Sequence, residues 1–522
     1  MTKATSRQMK KYMLITVMVA VLFAGSCKKW EDHTAITSAA LNETLMEQIN
    51  KTPDLSVFAG YLLKAGLDSL LNASKNLTVF APGNAAMNSL SSAITSDPAQ
   101  LKAFLLNHIS GKAYYTRDAS ALLRVPMLNG KRVAFDHAHW GDAALTQSNI
   151  AVKNGVLHII DKAVPPLPNI WEFIETQKED YAQNAYIASL KYLAQDPALA
   201  ELDSINPQTG EPVYKPNTGI TEINTYRTKV YDIAQEDSLY TYILLTNAAY
   251  TAEKTALLPY FNARSADTAN SNASWSVVKD LTIKGVYTAS QLPAILLSKF
   301  GVHITLNTSA IQQTQQASNG IVYIVNAAPA TLSEKIPAVY VQGENPMGFS
   351  TTDSKALAKI FYRQRMNPET RLSFNDIYAN LGSSGANFYI NYFSNDLYTV
   401  RYKVYWVALS DRVLSGQGDD AYGSDSTLSQ RVQVRPADYP DSLLFDAEAP
   451  LPPNTYTEVY IGEYTNTDYN WLLSYPSGTP DGKTYIYNPA TKYIRLQAPA
   501  KAGSGKPYNI TLDYFKFVPV LD

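Results

Sequence analysis

Few residues in this chain could act as metal ligands or nucleophiles: it has six histidines and one cysteine, Cys27. The densest polar cluster is Asp136-His137-Ala138-His139-Trp140-Gly141-Asp142. Two imidazoles two residues apart share one side of a strand, and with a flanking aspartate they would suit a divalent metal such as zinc. A solvated hairpin tip accounts for the same glycine-containing run without a metal. Gly416-Gln417-Gly418-Asp419-Asp420-Ala421-Tyr422-Gly423-Ser424-Asp425 could offer carboxylates and carbonyls to calcium. It lacks the ordered ligand spacing of a known loop and so reads as a connection between strands rather than a calcium site. In Thr467-Asp468-Tyr469-Asn470-Trp471, two aromatic rings alternate with two hydrogen-bonding groups. Rings of this kind stack on the apolar faces of sugars, so Asp468, Tyr469, Asn470 and Trp471 form a candidate glycan-binding set, with the carboxylate and amide on the hydroxyls.

Catalysis is not indicated. The chain has no Gly-x-Ser-x-Gly elbow, phosphate loop or dinucleotide fingerprint. Its 46 carboxylates include acidic pairs, but none stands in a glycosidase-like context. No cofactor and no resident metal are expected. A net charge of −2 gives no basic footprint for nucleic acid. The 36 tyrosines suit strands, and they also suit surfaces that bind sugars or proteins.

The lone thiol is explained by what precedes it. Lys3, Arg7, Lys10 and Lys11 lead into an apolar run from Met13 to Ala24. That run is too short to cross a hydrocarbon layer of roughly 30 Å comfortably, and the pattern is that of a secretory signal. Ala24-Gly25-Ser26-Cys27 resembles the bacterial lipobox, which implies that Cys27 is acylated and becomes the new N-terminus. A plain secretory signal or a short N-terminal anchor would be the alternatives. Lys28-Lys29-Trp30-Glu31-Asp32 resembles the surface-export tract of Bacteroidota lipoproteins, implying an outer-membrane anchor facing the cell exterior. The expected division is a signal at 1–26 and a tether at 27–36, with about 495 residues exported.

The elements beyond show an internal repeat. Leu77-Thr78-Val79-Phe80-Ala81-Pro82-Gly83-Asn84-Ala85-Ala86-Met87 is a strand-like run ending at Asn-Ala-Ala, and so is Leu239 to Tyr250, with Asn247-Ala248-Ala249. Each asparagine is expected to cap a helix. Downstream, Asn154-Gly155 and Asn319-Gly320 each open an alternating apolar run. The asparagines lie 70 residues apart in the first pair and 72 in the second. Matched order and spacing resemble two fasciclin (FAS1) domains, at 37–168 and 169–334. Leu106-Asn107-His108-Ile109, Asn154 to Asp161 and Pro165-Pro166 match the family's motifs in the first copy. His108 and His158 are read there as hydrogen-bonded structural groups. The second copy departs at Leu245, Tyr323 and Asn326, where the family has proline, histidine and aspartate, and it carries an irregular insertion near Pro207–Thr228. Trp171 to Ala200 reads as helical.

From about Pro337 the pattern becomes short alternating runs, such as Phe388–Phe393, Thr399–Val407, Thr457–Tyr464, Tyr493–Gln497 and a final Tyr508–Pro519. Residues 335–522 are therefore expected to form an all-β sandwich, jelly-roll-like. Its final run resembles the closing strand of galactose-binding-like and carbohydrate-binding jelly rolls. The whole is a multidomain α+β chain. The resemblances imply a surface-exposed, non-catalytic lipoprotein that binds glycan or a protein partner. They further imply an accessory role beside a TonB-dependent outer-membrane transporter and its glycan-binding lipoprotein in nutrient uptake. An adhesin unrelated to uptake is the alternative, and a glycan-active enzyme a distant third.

Overall fold

The computed structural model describes residues 39–119, 122–410, 428–437, 441–453, 455–469, 475–478, 484–487, 491–501 and 507–521. Cys27, the segment before it, and Gly416–Asp425 lie outside the described residues. Among the described residues no helix is long and apolar enough to cross a membrane. The chain divides into two compact units between Pro168 and Asn169.

In the first unit, helices at Leu45–Lys51 and Ser56–Lys64 precede a strand, Leu77–Pro82, in which every residue is buried. That strand pairs in parallel with Gly155–Ile160, from Leu77 opposite Gly155 to Pro82 opposite Ile160. Parallel strands covered on both faces are expected to read as continuous apolar runs, as these do. The pair lies second and third in a seven-stranded sheet, ordered Ile109–Ser110, Leu77–Pro82, Gly155–Ile160, Ala143–Val152, His139–Trp140, Arg132–Phe135, Leu123–Pro126.

Residues 169–334 of the second unit repeat this plan. Tyr240–Leu245 pairs in parallel with Gly320–Val325, from Tyr240 opposite Gly320 to Leu245 opposite Val325. The same polar groups hold both pairs. Asn154 Oδ1 accepts from Leu45 N (2.8 Å), while Nδ2 donates to the carbonyls of Leu71 and Ala73. Asn319 Oδ1 accepts from Ile170 N (2.9 Å), while Nδ2 donates to the carbonyls of Ile233 and Gln235. Leu45 and Ile170 each open a helix with a capping box, Thr44/Glu47 in one and Asn169/Glu172 in the other. A Cβ on Gly155 or Gly320 would sit 2.1 or 2.0 Å from a carbonyl oxygen of the neighbouring strand, so neither position admits a side chain.

Asn84 and Asn247 do not cap the helices they begin. Asn84 Oδ1 accepts from Val57 N and Asn247 Oδ1 from Ala182 N, and their amides donate to the carbonyls of Pro53 and Asp180. Each ties its strand end to an earlier helix, and in the second case Thr246 takes the capping role. The helical expectation for Trp171–Ala200 holds to Ser189, after which Lys191–Gln195 is a strand. The expected irregular insertion is instead a two-stranded arm, Lys191–Gln195 on Ile220–Asn224 and Leu202–Ile205 on Pro212–Tyr214, followed by a short helix, Thr225–Lys229.

In the remainder of the second unit the named strands pair antiparallel. A four-stranded sheet is ordered Val339–Gln342, Tyr514–Val520, Arg401–Val407, Val459–Thr465. A five-stranded sheet is ordered Gly348–Phe349, Tyr389–Ser394, Lys492–Gln497, Leu428–Pro436, Phe445–Leu451. Inward residues of the two meet in a common core, for example Tyr392 against Phe515 and Phe445 against Tyr464. Trp406 is wholly buried there. The final run is not one strand. Ile510–Leu512 pairs with Ser373–Ala379, and after Asp513 the chain crosses to pair Tyr514–Val520 with Arg401–Val407.

Candidate functional site

The expected histidine cluster is a turn. Asp136 Oδ1 accepts from the amides of Ala138 (2.7 Å) and His139 (2.6 Å), which holds its carboxyl below the usual carboxylate pKa. Among the described residues, no three His, Cys, Asp or Glu side chains converge as a metal-binding group. His108 and His158 are buried. His108 Nδ1 lies 2.9 Å from the Phe104 carbonyl, and His158 Nε2 lies 2.9 Å from that of Tyr114. Burial outweighs those bonds and lowers both pKa values, to about 4 for His108. The His158 ring packs against Phe80 and Phe135, and the His108 ring against Phe104 and Trp140.

The expected glycan set is divided. Asn470 and Trp471 lie outside the described residues. Asp468 and Tyr469 sit in a seam between residues 259–272 and the β-sandwich. Tyr469 is only 8% exposed, stacked on Tyr398 (5.1 Å between centroids) with Phe261 edge-on to both. Its amide donates to the Asn262 carbonyl, and its own carbonyl accepts from Asn272 Nδ2 (2.7 Å). The Asp468 carboxylate bonds Lys492 Nζ (2.6 Å) and Arg264 Nε (3.2 Å). In this arrangement the Tyr469 ring is not open to stack on a sugar, because side chains already cover it.

Another surface has the required chemistry. On the outer face of the five-stranded sheet, strand alternation turns Tyr389, Asn391 and Phe393 the same way as Gln497, Arg495 and Tyr493, and as Arg431, Gln433 and Arg435. The register aligns them in three rows: Tyr389–Gln497–Arg431, Asn391–Arg495–Gln433 and Phe393–Tyr493–Arg435. At about 3.3 Å per residue, Tyr389 and Phe393 stand about 13 Å apart along their strand. Aromatic rings thus bracket a middle row of amides and a guanidinium.

The middle of this platform is braced. Arg495 lies 3.7 Å over the Tyr389 ring, and its Nε donates to Asn391 Oδ1 (3.1 Å). Arg431 grips Asp446 through two bonds (2.5 and 2.6 Å), while Arg435 Nη2 donates to Gln433 Oε1 (2.9 Å). Burial, and after it the charge of Arg435, pulls the Arg495 pKa below the ordinary guanidinium value. A partly desolvated cation of this kind gains from an added acceptor such as a hydroxyl oxygen. Phe393 is 51% exposed at the opposite end from Tyr389. Beside Tyr389, a cleft of about 230 Å³ is lined by Ser350, Lys359, Leu381, Ser384, Asn387 and Phe388. It adjoins the platform, since Asn387 Oδ1 accepts from Gln497 Nε2 and Ser350 Oγ from Tyr389 N. The sequence shows two of these strands, Phe388–Phe393 and Tyr493–Gln497, but neither Leu428–Pro436 nor the site. The alternation of Tyr389, Asn391 and Phe393 was visible; their alignment with residues about 40 and 100 positions away was not.

Residues 53–166 match the family model for the fasciclin domain, so the first unit contains a fasciclin domain. No curated protein matches the chain in sequence. Among solved structures, the FAS1 domain pair of the insect cell adhesion molecule fasciclin I aligns at 16% identity with a TM-score of 0.21, covering 54% of this chain and 99% of that one. CsCBM6-3 from Clostridium stercorarium, in complex with cellobiose, aligns at 12% identity and TM-score 0.19, covering 35% of this chain and 94% of its own. A structure described as CBM4 structure and function gives 8%, 0.18, 34% and 97% for the same quantities. All three scores lie far below the level at which a shared fold would follow.

Proposed function

We propose that this chain is a non-catalytic binding protein whose β-sandwich holds a glycan on the outer face of its five-stranded sheet. The observation that carries this is the three-row platform of Tyr389, Phe393, Tyr493, Arg495 and their amide neighbours. The Phe393 and Tyr493 rings offer apolar faces to sugar rings, and Asn391 and Arg495 offer donors to adjacent hydroxyls. Residues 169–334 are a second, degenerate fasciclin copy, a reading supported by the matched register and asparagine bonds. The fasciclin pair acts as spacer or docking module. Acylated Cys27 holds the chain at the outer membrane facing outward, where several acyl chains give a stable anchor. There it serves as an accessory to a TonB-dependent transporter and its glycan-binding lipoprotein. A matrix or cell-surface adhesin is the second reading, favoured by the fasciclin match itself.

Affinity electrophoresis of the full mature chain through gels containing single polysaccharides tests the proposal. The sandwich shares a core with residues 169–334, so the whole chain is the proper sample. Retardation by one polysaccharide, reduced by Phe393→Ala and Tyr493→Ala, is expected. Trp471→Ala tests the aromatic one of the two candidates, Asn470 and Trp471, that lie outside the described residues. Migration unaltered by any polysaccharide would remove the glycan reading and leave protein adhesion.

A further inference from the structure

The arm formed by residues 191–224 is a β-ribbon without a core of its own. The chain runs out along Lys191–Gln195 and Leu202–Ile205, turns where Gly210 N donates to the Asn206 carbonyl, and returns along Pro212–Tyr214 and Ile220–Asn224. Paired turns interrupt it midway, joined by bonds from Asp196 N to Gly219 O and from Lys215 N to Glu201 O. Each ribbon has two strands and therefore open edges. Tyr192, Leu193, Leu199, Leu202, Ile205, Val213 and Ile220 are all between 41 and 73% exposed. Two-stranded ribbons are marginal in water, and a concentration of exposed apolar side chains marks an interaction surface.

The two edges of the outer ribbon differ. The returning stretch, Pro212-Val213-Tyr214-Lys215-Pro216, carries the prolines and lysine that discourage strand pairing. The outgoing stretch, Leu199-Ala200-Glu201-Leu202-Asp203-Ser204-Ile205, carries neither. The charge is one-sided as well. Asp196, Glu201, Asp203, Glu211 and Glu222 face only Lys191 and Lys215, and both lysines are engaged, Lys191 by Glu175 and Glu222 and Lys215 by Glu201. Two such arms would repel each other, which argues against a second copy as occupant.

We infer that the outgoing edge strand, Leu202–Ile205, is a docking strand for a protein partner, which adds an extended segment alternating apolar and basic side chains. Main-chain bonds to the open edge would supply affinity, and the apolar and acidic side chains would supply selectivity. This deepens the protein-partner side of the function proposed above and rests on the reading of the chain as a binding protein.

The test uses the full mature chain and two fluorescent peptides of about ten residues, one alternating Val and Lys, the other Val and Glu. Saturable binding of the Val-Lys peptide is expected, with the Val-Glu peptide about tenfold weaker or more. Raising salt from about 50 to about 500 mM should weaken the Val-Lys complex severalfold. Asp203→Lys, which puts a lysine on the edge, should weaken it about tenfold, and Leu202→Ser with Ile205→Ser should do so independently. Equal binding of the two peptides, no binding of either, or indifference to all three substitutions would overturn the inference. So would a dimer in sedimentation that Asp203→Lys dissociates, because the occupant would then be a second copy. Glycan retardation in the same variants should be unchanged, so failure of the arm and failure of the glycan face are read separately.

Discussion

Beside the central strands of residues 39–168, two buried histidines fill the space. At the corresponding places in residues 169–334 stand Leu281 and Tyr323. The correspondence follows from the backbone. The His108 carbonyl accepts from Phe80 N as the Leu281 carbonyl accepts from Ile243 N, and His158 and Tyr323 occupy the same register in their parallel pairs. The second exchange even keeps its bond: His158 Nε2 meets the Tyr114 carbonyl, and Tyr323 hydroxyl donates to that of Tyr287 (2.8 Å). Around these differences the backbone-holding groups are unchanged. Thr78 and Thr241 each donate to one carbonyl and accept from an amide two residues further on, at Lys112/Tyr114 and Gly285/Tyr287. A residue that satisfies buried backbone has no substitute of another shape, whereas one that fills volume and makes a single bond has several. Each histidine ring is spent on two backbone groups, His108 on Phe104 O and Val164 N and His158 on Tyr114 O and Asn149 N, which argues for structure rather than acid–base chemistry.

The largest expected effects fall on the shared groups. Asn154→Ala and Asn319→Ala each strip partners from buried backbone at three points and should cost about 4 kcal/mol, read by denaturant unfolding of each unit. A small loss at Asn319 alone would break the equivalence of the two regions.

Next comes pH, where the units should respond with opposite signs. His108 titrates near 4 when folded, below its ordinary 6.5. Its contribution is complete above 6.5 and is lost as pH falls toward 4, up to about 3 kcal/mol in the first unit. Asp513, at the crossing between sheets, is pushed up to about 7 by burial and then by Asp376 and Glu344. Its protonated form is favoured in the fold, so its contribution to the second unit is present below 3.8 and fades as pH rises toward 7. His108→Leu should flatten the first unit's acid slope, and Asp513→Asn the second unit's opposite one, in melts between pH 4 and 7. Slopes unchanged by either variant would contradict the burial argument.

Smaller effects sharpen the contrast. Asp468→Ala would remove the carboxylate that bonds both the buried Lys492 and Arg264 in the seam that joins residues 259–272 to the sandwich, lowering second-unit stability by about 2 kcal/mol. Tyr323→Phe removes one hydroxyl bond and should cost about 1 kcal/mol in the same assay.

The matched pattern was legible because asparagine and glycine were needed at fixed places in both regions, whatever packs around them. Its internal bonds were not. Asn84 and Asn247 look like helix caps in sequence, and only the fold shows an earlier helix waiting for each amide. The arm was misread because its apolar residues alternate for only three to five positions before a turn, too short a run to distinguish from loop. At the site, Tyr469 had the composition of a sugar-stacking residue, but composition cannot reveal that Phe261 and Tyr398 cover it. The platform failed to appear for the converse reason. Its rows are built across strands, and cross-strand register is decided by the whole sandwich.

The central claim is that the sandwich binds through Tyr389, Phe393, Tyr493 and Arg495. It is tested most directly by titrating the full mature chain with a soluble oligosaccharide of whichever polysaccharide retards it, alongside Phe393→Ala and Arg495→Ala. Saturable binding weakened about tenfold or more by each substitution, with unfolding curves unchanged, is the expected result. Equal affinity in all three proteins would contradict it and move the binding surface elsewhere on the chain.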